Sequence, residues 1–353
     1  ILQIPGLQFK AVWSRTPDSA KQFAGQYSVR AYSSITEMIT AENIQIAIIC
    51  TAHPYHANPA VEAMEAGAHV LIEKPLASTL QDCDLIIDAA RRTGRKAGVV
   101  SQRRWYQPIV RMKKAIEDGK IGTPALGTIQ MLGWRDQTYF SSGDWRGSWK
   151  LEGGGVLVNQ APHQLDLLQW LMGGEIDEVF GYWKNINHPY IEVEDTGVAL
   201  VRFKNGALGN ILVSNSQKPG IYGKVHIHGS NGATVGSQPE GGAMFLPGQA
   251  AISSAPQLDL WTIPGEEHLI EEWNKADANE FQSVDSMTWY FKLQISDFAD
   301  AVIYDREPAV TVEEGRKTVE LFTAIYRSQR DGKPVKFPVQ PEYDRDDMDG
   351  RLI

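Results

Sequence analysis

Apolar and polar positions alternate in two rhythms over the first hundred residues. Short apolar or β-branched runs at 9–13, 44–50 (IQIAIIC), 69–72 (HVLI) and 96–101 predict strands. The run at 44–50 has no polar face and predicts a strand buried on both sides. Between these runs, apolar residues three and four apart predict helices over 17–27, 34–40, 57–67 and 80–94. Local signals agree: Pro17 opens the first helix, Ser33 or Ser34 caps the second, and Gly67 and Gly94 close the others. Arg91 and Arg92 stand in a last turn, where the helix dipole favours cations. Strands alternating with helices of this length imply a parallel sheet with right-handed crossovers.

After about Arg104 the rhythm changes. A helix is predicted over 108–118 and a strand over 125–134, and a Gly-rich turn opens one continuous helix over 155–172. Strands over 195–203 and 207–215 flank the hairpin signal Lys204-Asn205-Gly206, and a strand over 224–228 precedes the turn Asn231-Gly232. This reads as a largely antiparallel sheet with one open face. Helices over 287–305 and 312–329 follow. Residues 220–265, rich in Gly, Pro and Ser, are expected to hold the least regular loops. The fold class is therefore α/β: a Rossmann-type dinucleotide-binding domain over 1–104, an α+β substrate domain over 105–338, and an acidic, irregular tail over 339–353. A doubly wound sheet needs a central first strand followed by a Gly-rich phosphate turn. The opening ILQIPGLQFKAVWSRT supplies neither, so residues 1–3 read as the tail of the first helix and 9–13 as the second strand. The first strand and glycine motif are expected upstream of Ile1, some tens of residues earlier.

Bulk numbers narrow the class. A length of 353 residues points to two domains, and 42% hydrophobic with 22% charged residues is ordinary for a globular protein. A formal net charge of −9 argues against nucleic acid or an anionic membrane as the main partner. Cys50 and Cys83 lack metal-ligand spacing, so two reduced thiols and no metal site are expected. No apolar run is long enough to span a membrane. A cytoplasmic location is expected, with a periplasmic one left open because the chain begins at Ile1 rather than Met.

Candidate chemistry gathers at strand ends. Ser14-Arg15-Thr16 closes the second strand, where a carboxylate would hold the adenosine ribose of NAD; Arg15 suits a phosphate, which favours NADP. The loop Thr51-Ala52-His53-Pro54-Tyr55-His56 follows the buried strand, where open parallel sheets bind ligands. Thr51, His53 and His56 are candidates there. Glu73-Lys74-Pro75 follows HVLI, an ionisable pair that can lower the pKa of Lys74. The sharpest segment is DWRGSWKLEGGGVLVNQAPHQLDLLQW at 144–170. Its glycines let backbone approach a ligand. Asn159 and His163, four apart, are expected on one helical face, with Asp166 orienting the imidazole. Polar groups on a buried helix are costly unless satisfied or used.

Taken in order, AIICTAHPYH, HVLIEKPL, GVVSQRRW, WRGSWKLEGGGVLVNQAPHQLDLLQWL and the late LQISDFADAV resemble the glucose–fructose oxidoreductase, inositol dehydrogenase and rhizopine-catabolism (Gfo/Idh/MocA) family over nearly the whole chain. The resemblance implies Lys74 and His163 as the acid/base pair around a substrate hydroxyl, Asn159 beside them, and a cis Lys74–Pro75 bond. A nicotinamide cofactor, NADP preferred or else NAD, is expected near Glu73, Lys74 and Gln102. The resemblance also implies an open sheet face that joins copies into a homo-dimer or homo-tetramer. Many members carry Asp in place of Asn159, and Asn cannot share a proton, which moves the base role to His163. Arg103, Arg104, Trp145, Arg146 and Trp149 are candidate substrate contacts, since aromatic faces and guanidinium forks suit sugars and their charged appendages. The expected reaction is hydride transfer between nicotinamide and a ring carbinol of a sugar, glycoside, sugar nucleotide or cyclitol. Two rivals are a nicotinamide-using glycosidase of the same fold and a non-catalytic sugar-binding protein. The retained Lys74 and His163 weigh against the latter.

Overall fold

The computed structural model describes residues 1–218, 222–240, 254–286 and 288–343. It divides into two compact units, one of residues 1–100 with 291–316, the other of residues 101–290 with the chain from 317 on. The late helix segment thus groups with the N-terminal unit rather than lying in a contiguous second domain. Its packing explains why: Phe298 forms a buried cluster with Leu71 and Val100, and Phe291, Ile295 and Val302 pack around it.

The first unit follows the alternation read from the sequence. In order it contains β1 (Ala11–Trp13), α1 (Pro17–Tyr27), β2 (Arg30–Tyr32), α2 (Ile35–Glu42), β3 (Ile46–Ile49), α3 (Ala57–Glu65), β4 (His69–Ile72), α4 (Leu80–Thr93) and β5 (Ala97–Val99). Ser34 caps α2 by accepting from the Glu37 N–H at 3.2 Å, and Thr79 caps α4 in the same way from Asp82. Strand β2 is absent from the sequence reading because its residues are mostly exposed and polar. All pairs in this unit are parallel, but they form two sheets, β1-β2 and β3-β4-β5, with no shared ladder among the described residues. The expectation that β3 is buried on both faces is corrected: Ile46 and Ile48 are only half-buried, while Ala47 and Ile49 are in the core.

The second unit is built on an eight-stranded mixed sheet. Its earlier elements are α5 (Gln107–Glu117), β6 (Pro124–Leu132), α6 (Gln137–Phe140), α7 (Trp149–Glu152), α8 (Val156–Asn159) and α9 (Pro162–Met172). Then come β7 (Ile176–Lys184), β8 (Thr196–Phe203), β9 (Leu208–Ser214), β10 (Tyr222–Gly229), β11 (Thr234–Glu240), β12 (Gln257–Trp261) and α10 (Leu269–Ser283). Helix α11 (Trp289–Ile303), helix α12 (Val312–Asp331) and strand β13 (Val335–Lys336) complete the chain. The sheet order is β12-β11-β10-β6-β9-β8-β7-β13, antiparallel except for the parallel pair β6-β9.

One face of this sheet carries α9. Gly127 on β6 permits the approach, since a Cβ there would stand 2.6 Å from Leu168. Leu165, Leu168 and Leu171 of α9 are fully buried, as are Ile129 and Met131 of β6. Strand β8 alternates: Ala199, Val201 and Phe203 point inward, while Val198, Leu200 and Arg202 are exposed.

Three expectations need correcting here. Strands β11 and β12 run through the stretch expected to be loop, because Val235 and Leu258 turn into the core, whereas β10 bears out the strand expected over 224–228; residues 241–253 of that stretch lie outside the described residues. Helix α10 was not anticipated. Its buried position is Asp277, held by Arg111 at 2.5 and 2.8 Å, so its inward face is marked by charge rather than by an apolar stripe. Finally, the expected continuous helix over 155–172 is two helices. Pro162 has no N–H to continue the ladder, and the Ala161 N–H bonds back to the Val156 carbonyl at 2.8 Å. Asn159 and His163 therefore stand on different helices and not on one helical face. In the expected acidic tail, residues 344–353 lie outside the described residues, and 339–343 form no regular element.

Candidate active site

In the first unit the loops after β3 and β4 are tied to each other. The His56 ring is buried, with Nδ1 3.0 Å from the Pro75 carbonyl and Nε2 2.8 Å from the Thr51 carbonyl. Burial pushes its pKa down, and the carbonyl contacts oppose that shift. Both ring nitrogens thus work inside the loop, so His56 shapes the loop rather than lining its surface. Thr51 Oγ1 donates to the Tyr55 carbonyl at 2.8 Å, and residues His53–Tyr55 form a short 3₁₀ turn with His53 buried. The Lys74–Pro75 bond is cis, as the resemblance implied. The Glu73 carboxylate accepts from the Lys74 N–H at 3.0 Å, and burial raises its pKa against the opposing charge of Lys74.

Arg15 is exposed and its guanidinium lies 4.1 Å from the centre of the Tyr55 ring. This brings the end of β1 and the loop after β3 together. No carboxylate pairs with Arg15 among the described residues, and none stands at Ser14 or Thr16, whose hydroxyl bonds to Ser19 at 2.6 Å. This donor set fits the adenosine end of a dinucleotide.

In the second unit, the short turn Gln102–Trp105 lies against α9. Gln102 Oε1 is buried without a hydrogen-bond partner among the described residues. Arg103 is buried, which lowers its pKa to about 10. Arg104 grips Asp166 with two bonds, Nε at 2.9 Å and Nη2 at 2.6 Å, and its guanidinium lies 4.9 Å from the Trp170 ring. Ser101 Oγ also donates to Asp166. The expected role of Asp166 is thus corrected: its carboxylate anchors Arg104 and Ser101 onto α9 instead of serving chiefly to orient His163. Trp149 is buried edge-on against Trp183 and Tyr326, and Trp145 carries Arg146 at 4.3 Å over its ring.

The densest polar cluster surrounds Asn159. Its Nδ2 donates to Glu152 Oε1 and, at 3.2 Å, to the Tyr139 hydroxyl. That hydroxyl also receives Gln160 Nε2 at 3.0 Å and Arg146 Nη1 at 2.5 Å. Glu152 Oε2 accepts the Gly147 N–H at 2.6 Å, and burial lifts the pKa of this glutamate to about 7. Behind it, Glu194 accepts the N–H groups of Gly155 and Leu157 at 2.9 and 3.0 Å and the Tyr326 hydroxyl at 2.8 Å; burial raises its pKa also to about 7. The glycine run ends in a close approach: a Cβ on Gly155 would stand 1.8 Å from the Glu194 carbonyl oxygen. His163 is 9% and Asn159 7% exposed, so both sit just beneath the surface of the unit. Tyr139, Glu152 and Glu194 escaped the sequence reading. A glutamate placed directly before three glycines was the one visible hint.

Residues 2–101 match the model described as the oxidoreductase family, NAD-binding Rossmann fold, and residues 113–337 match that family's C-terminal alpha/beta domain. The chain is 32% identical over 215 residues to a 1-carboxy-3-chloro-3,4-dihydroxycyclohexa-1,5-diene dehydrogenase of Comamonas testosteroni; this covers 59% of the chain and about half, 52%, of that relative. It is 29% identical over 313 residues to the myo-inositol 2-dehydrogenase of Thermotoga maritima, covering 87% of the chain and 84% of the relative. Among solved structures, the WlbA dehydrogenase of Bordetella pertussis, in complex with NADH and UDP-GlcNAcA, matches with a TM-score of 0.76 at 29% identity, over 94% of this chain and 91% of that one. With both family models matched in order over most of its length, the chain belongs to the Gfo/Idh/MocA oxidoreductase family.

Proposed function

We propose that this chain is an NAD(P)-dependent oxidoreductase acting on a ring carbinol of a sugar, glycoside, sugar nucleotide or cyclitol. The observation that carries the reading is the buried polar cluster on α8 and α9. Asn159, Gln160 and His163 are each less than a tenth exposed and lie among the buried Val156, Leu157, Val158, Leu165, Leu167 and Leu168 of α8 and α9. Such groups destabilise a core unless they are satisfied or used on a ligand. The names of the relatives, an inositol dehydrogenase and a dehydrogenase bound to a sugar nucleotide, support a hydroxylated ring as substrate.

The nicotinamide, when bound, supplies or accepts the hydride. His163 takes the proton of the reacting hydroxyl, the part most often played by an imidazole in general acid–base catalysis. Lys74 polarises the oxygen as it becomes a ketone. Asn159 holds a hydroxyl and cannot accept a proton. Arg103, Trp145 and Arg146 remain candidates for substrate contacts, while Arg104 and Trp149 support α9 and the aromatic core. Arg15 favours NADP over NAD through the ribose phosphate, with Ser14 and Thr16 beside it; Thr51, His53, Glu73 and Gln102 complete the cofactor side. We further read the protein as cytoplasmic and as a homo-dimer or homo-tetramer. Among the described residues, no helix is long and apolar enough to cross a membrane, and no group of three His, Cys, Asp or Glu could hold a metal.

The test combines nicotinamide absorbance on a panel of sugars and cyclitols with fluorescence titration by NADPH and NADH. His163→Ala is expected to lower kcat by about 10²-fold or more and to leave the NADPH Kd within about twofold, since acid/base catalysis and cofactor affinity are separate contributions. Unchanged turnover defeats the assignment. Product formation with no net nicotinamide change would instead favour the glycosidase, and sugar binding without nicotinamide binding the non-catalytic protein.

A further inference from the structure

Strands β6 and β9 are parallel, so both chains leave the large sheet at the same end. Beyond their last residues they stay paired. The Gly133 N–H donates to the Ser214 carbonyl at 2.8 Å, and the Arg135 N–H to the Asn215 carbonyl at 3.1 Å. Arg135 and Asn215 continue the inward alternation of Met131 and Val213, both fully buried. The Arg135 guanidinium lies 4.5 Å from the centre of the Tyr139 ring, and Asn215 Nδ2 donates to Gln160 Oε1 at 2.8 Å. Arg146 arrives from the turn before α7. Its guanidinium lies 4.2 Å from the centre of the same Tyr139 ring and 4.3 Å from that of Trp145. All these residues belong to the second unit.

Two cations over one ring repel each other. Burial lowers the Arg135 pKa most, and the Arg146 charge lowers it further, against Tyr139 and Asp136. Arg146 makes no ion pair among the described residues. Its Nη1 donates to the Tyr139 hydroxyl at 2.5 Å and its Nε to the Ser142 hydroxyl at 3.1 Å, both neutral groups, while Nη2 has no hydrogen-bond partner there. The nearby acids do little to offset the two charges. Asp136 accepts the Tyr139 N–H at 2.9 Å and caps α6. Burial lifts the pKa of Glu152 to about 7, so its charge is incomplete at neutral pH. Asn215 gives an independent sign of a ligand. It is 2% exposed, and its Oδ1 is buried with no hydrogen-bond partner among the described residues. Such an acceptor is rare in a native fold and calls for a donor from outside, a ligand hydroxyl or a water.

We propose that Arg146 and Arg135 form an oxyanion subsite, so that the preferred substrate is a hydroxylated ring carrying a carboxylate or a phosphate ester. The inference rests on the reading of this site as one for sugars or cyclitols. A guanidinium presents a planar fork of N–H donors that matches either anion. The subsite adjoins the amide assigned to a substrate hydroxyl: Arg146 Nη1 and Asn159 Nδ2 bond to the same Tyr139 oxygen, at 2.5 and 3.2 Å. The two groups are close enough for one substituted ring to meet both. The chain as a whole carries a formal charge of −9, so its overall field does not gather anions and the selection is local.

The test is calorimetric titration of the whole protein, with and without saturating NADPH, by matched ligands: glucose against glucuronate, galactose against galacturonate, and glucose against glucose 6-phosphate. The anionic member of at least one pair is expected to bind about tenfold more tightly than the neutral one. That preference should shrink as NaCl is raised. A tighter uronate identifies a ring carboxylate, and a tighter phosphate ester a phosphorylated sugar. In Arg146→Gln and in Arg135→Gln the anionic ligand should lose about tenfold in affinity and its neutral partner less than about twofold. The NADPH Kd should stay within about twofold, since the subsite serves the substrate and not the cofactor.

No anion preference in any pair, or no binding of any anionic sugar, overturns the inference. So does a preference that survives both substitutions, or a loss of NADPH affinity as large as that for the sugar, which would assign the guanidiniums to the cofactor's phosphates. If Arg146→Gln does not fold, Arg135→Gln and the salt dependence of the wild type decide. The two readings fail separately. Anion-selective binding without oxidation by NADP or NAD removes the oxidoreductase and keeps the subsite; oxidation of neutral rings without anion preference does the reverse.

Discussion

Asp166 and Arg104 show how a single pair can fix a segment. Their side chains are 9% and 6% exposed, so neither charge is solvated by bulk water. Their stability depends on the two bonds between them and on Ser101. Removing the aspartate takes both carboxylate bonds from a buried guanidinium, and breaking a buried pair in this way typically costs about 3–5 kcal/mol. Asp166→Ala is expected to lower the urea unfolding free energy by that amount, while Arg104→Met with Asp166→Leu should recover much of it. A double variant as unstable as Asp166→Ala would show that the pair's bonds, rather than orphaned charge, carry the effect. Single residues also set the sign of pH effects. The raised pKa values of Glu152 and Glu194 make the folded state hold their protons more tightly than the unfolded chain, so their contribution to stability falls as pH rises from the ordinary 4.5 to about 7. Asp195 behaves oppositely. Burial pushes its pKa up, but the His188 hydrogen bond and three other donors, Asn187 N–H, Ile186 N–H and the Thr196 hydroxyl, outweigh that and lower it, so its contribution is lost as pH falls through that lowered value.

Among the elements, the join between α7 and α8 is the most constrained. The chain leaves Glu152, passes three glycines and enters α8 with the Val156 N–H bonded to the Glu194 carbonyl at 3.0 Å. Gly155 lies so close to that carbonyl that no side chain fits, and the clash is with backbone, which cannot swing away. Gly155→Ala should therefore force apart α8 and the segment leading into β8. The expected loss is about 3 kcal/mol, read by chemical denaturation, with a parallel fall in activity because Asn159 moves with α8. An alanine variant of wild-type stability would mean that α8 shifts without cost. The short length of α8 matters here too. A helix of four residues has little stability of its own, and it is held in place by Glu194 and by Asn159's partners.

Over the whole molecule, the open face of the large sheet is the feature with the widest consequence. Tyr182 pairs across the ladder with Val198, and Leu208 with Leu126; all four are exposed, with Leu200 68% exposed among them. Contiguous apolar surface of this kind is rare on a lone soluble chain. We expect it to be covered by a second copy, which makes the dimer or tetramer a property of this face. Leu200→Asp should shift the protein toward the monomer in sedimentation velocity without unfolding it. An unchanged sedimentation coefficient would place the contact elsewhere.

The sequence by itself determined the local order of most strands and helices and the class of chemistry, because each is written in periodicity and motifs within a few residues of one another. The placement of Lys74 after β4 was legible for the same reason. Only the tertiary structure decided that α8 and α9 are separate, although Pro162 was in plain view, since proline at the first turn of a helix and proline breaking a helix look alike in sequence. Likewise it decided that Asp166 belongs to Arg104, that Tyr139 and Glu152 hold Asn159, and that Glu194 lies behind the glycines. Apart from Glu152 and Asn159, which are 7 residues apart, those partners are 20 to 62 residues apart, and hydrogen bonds across such distances follow from how the core packs rather than from any local pattern.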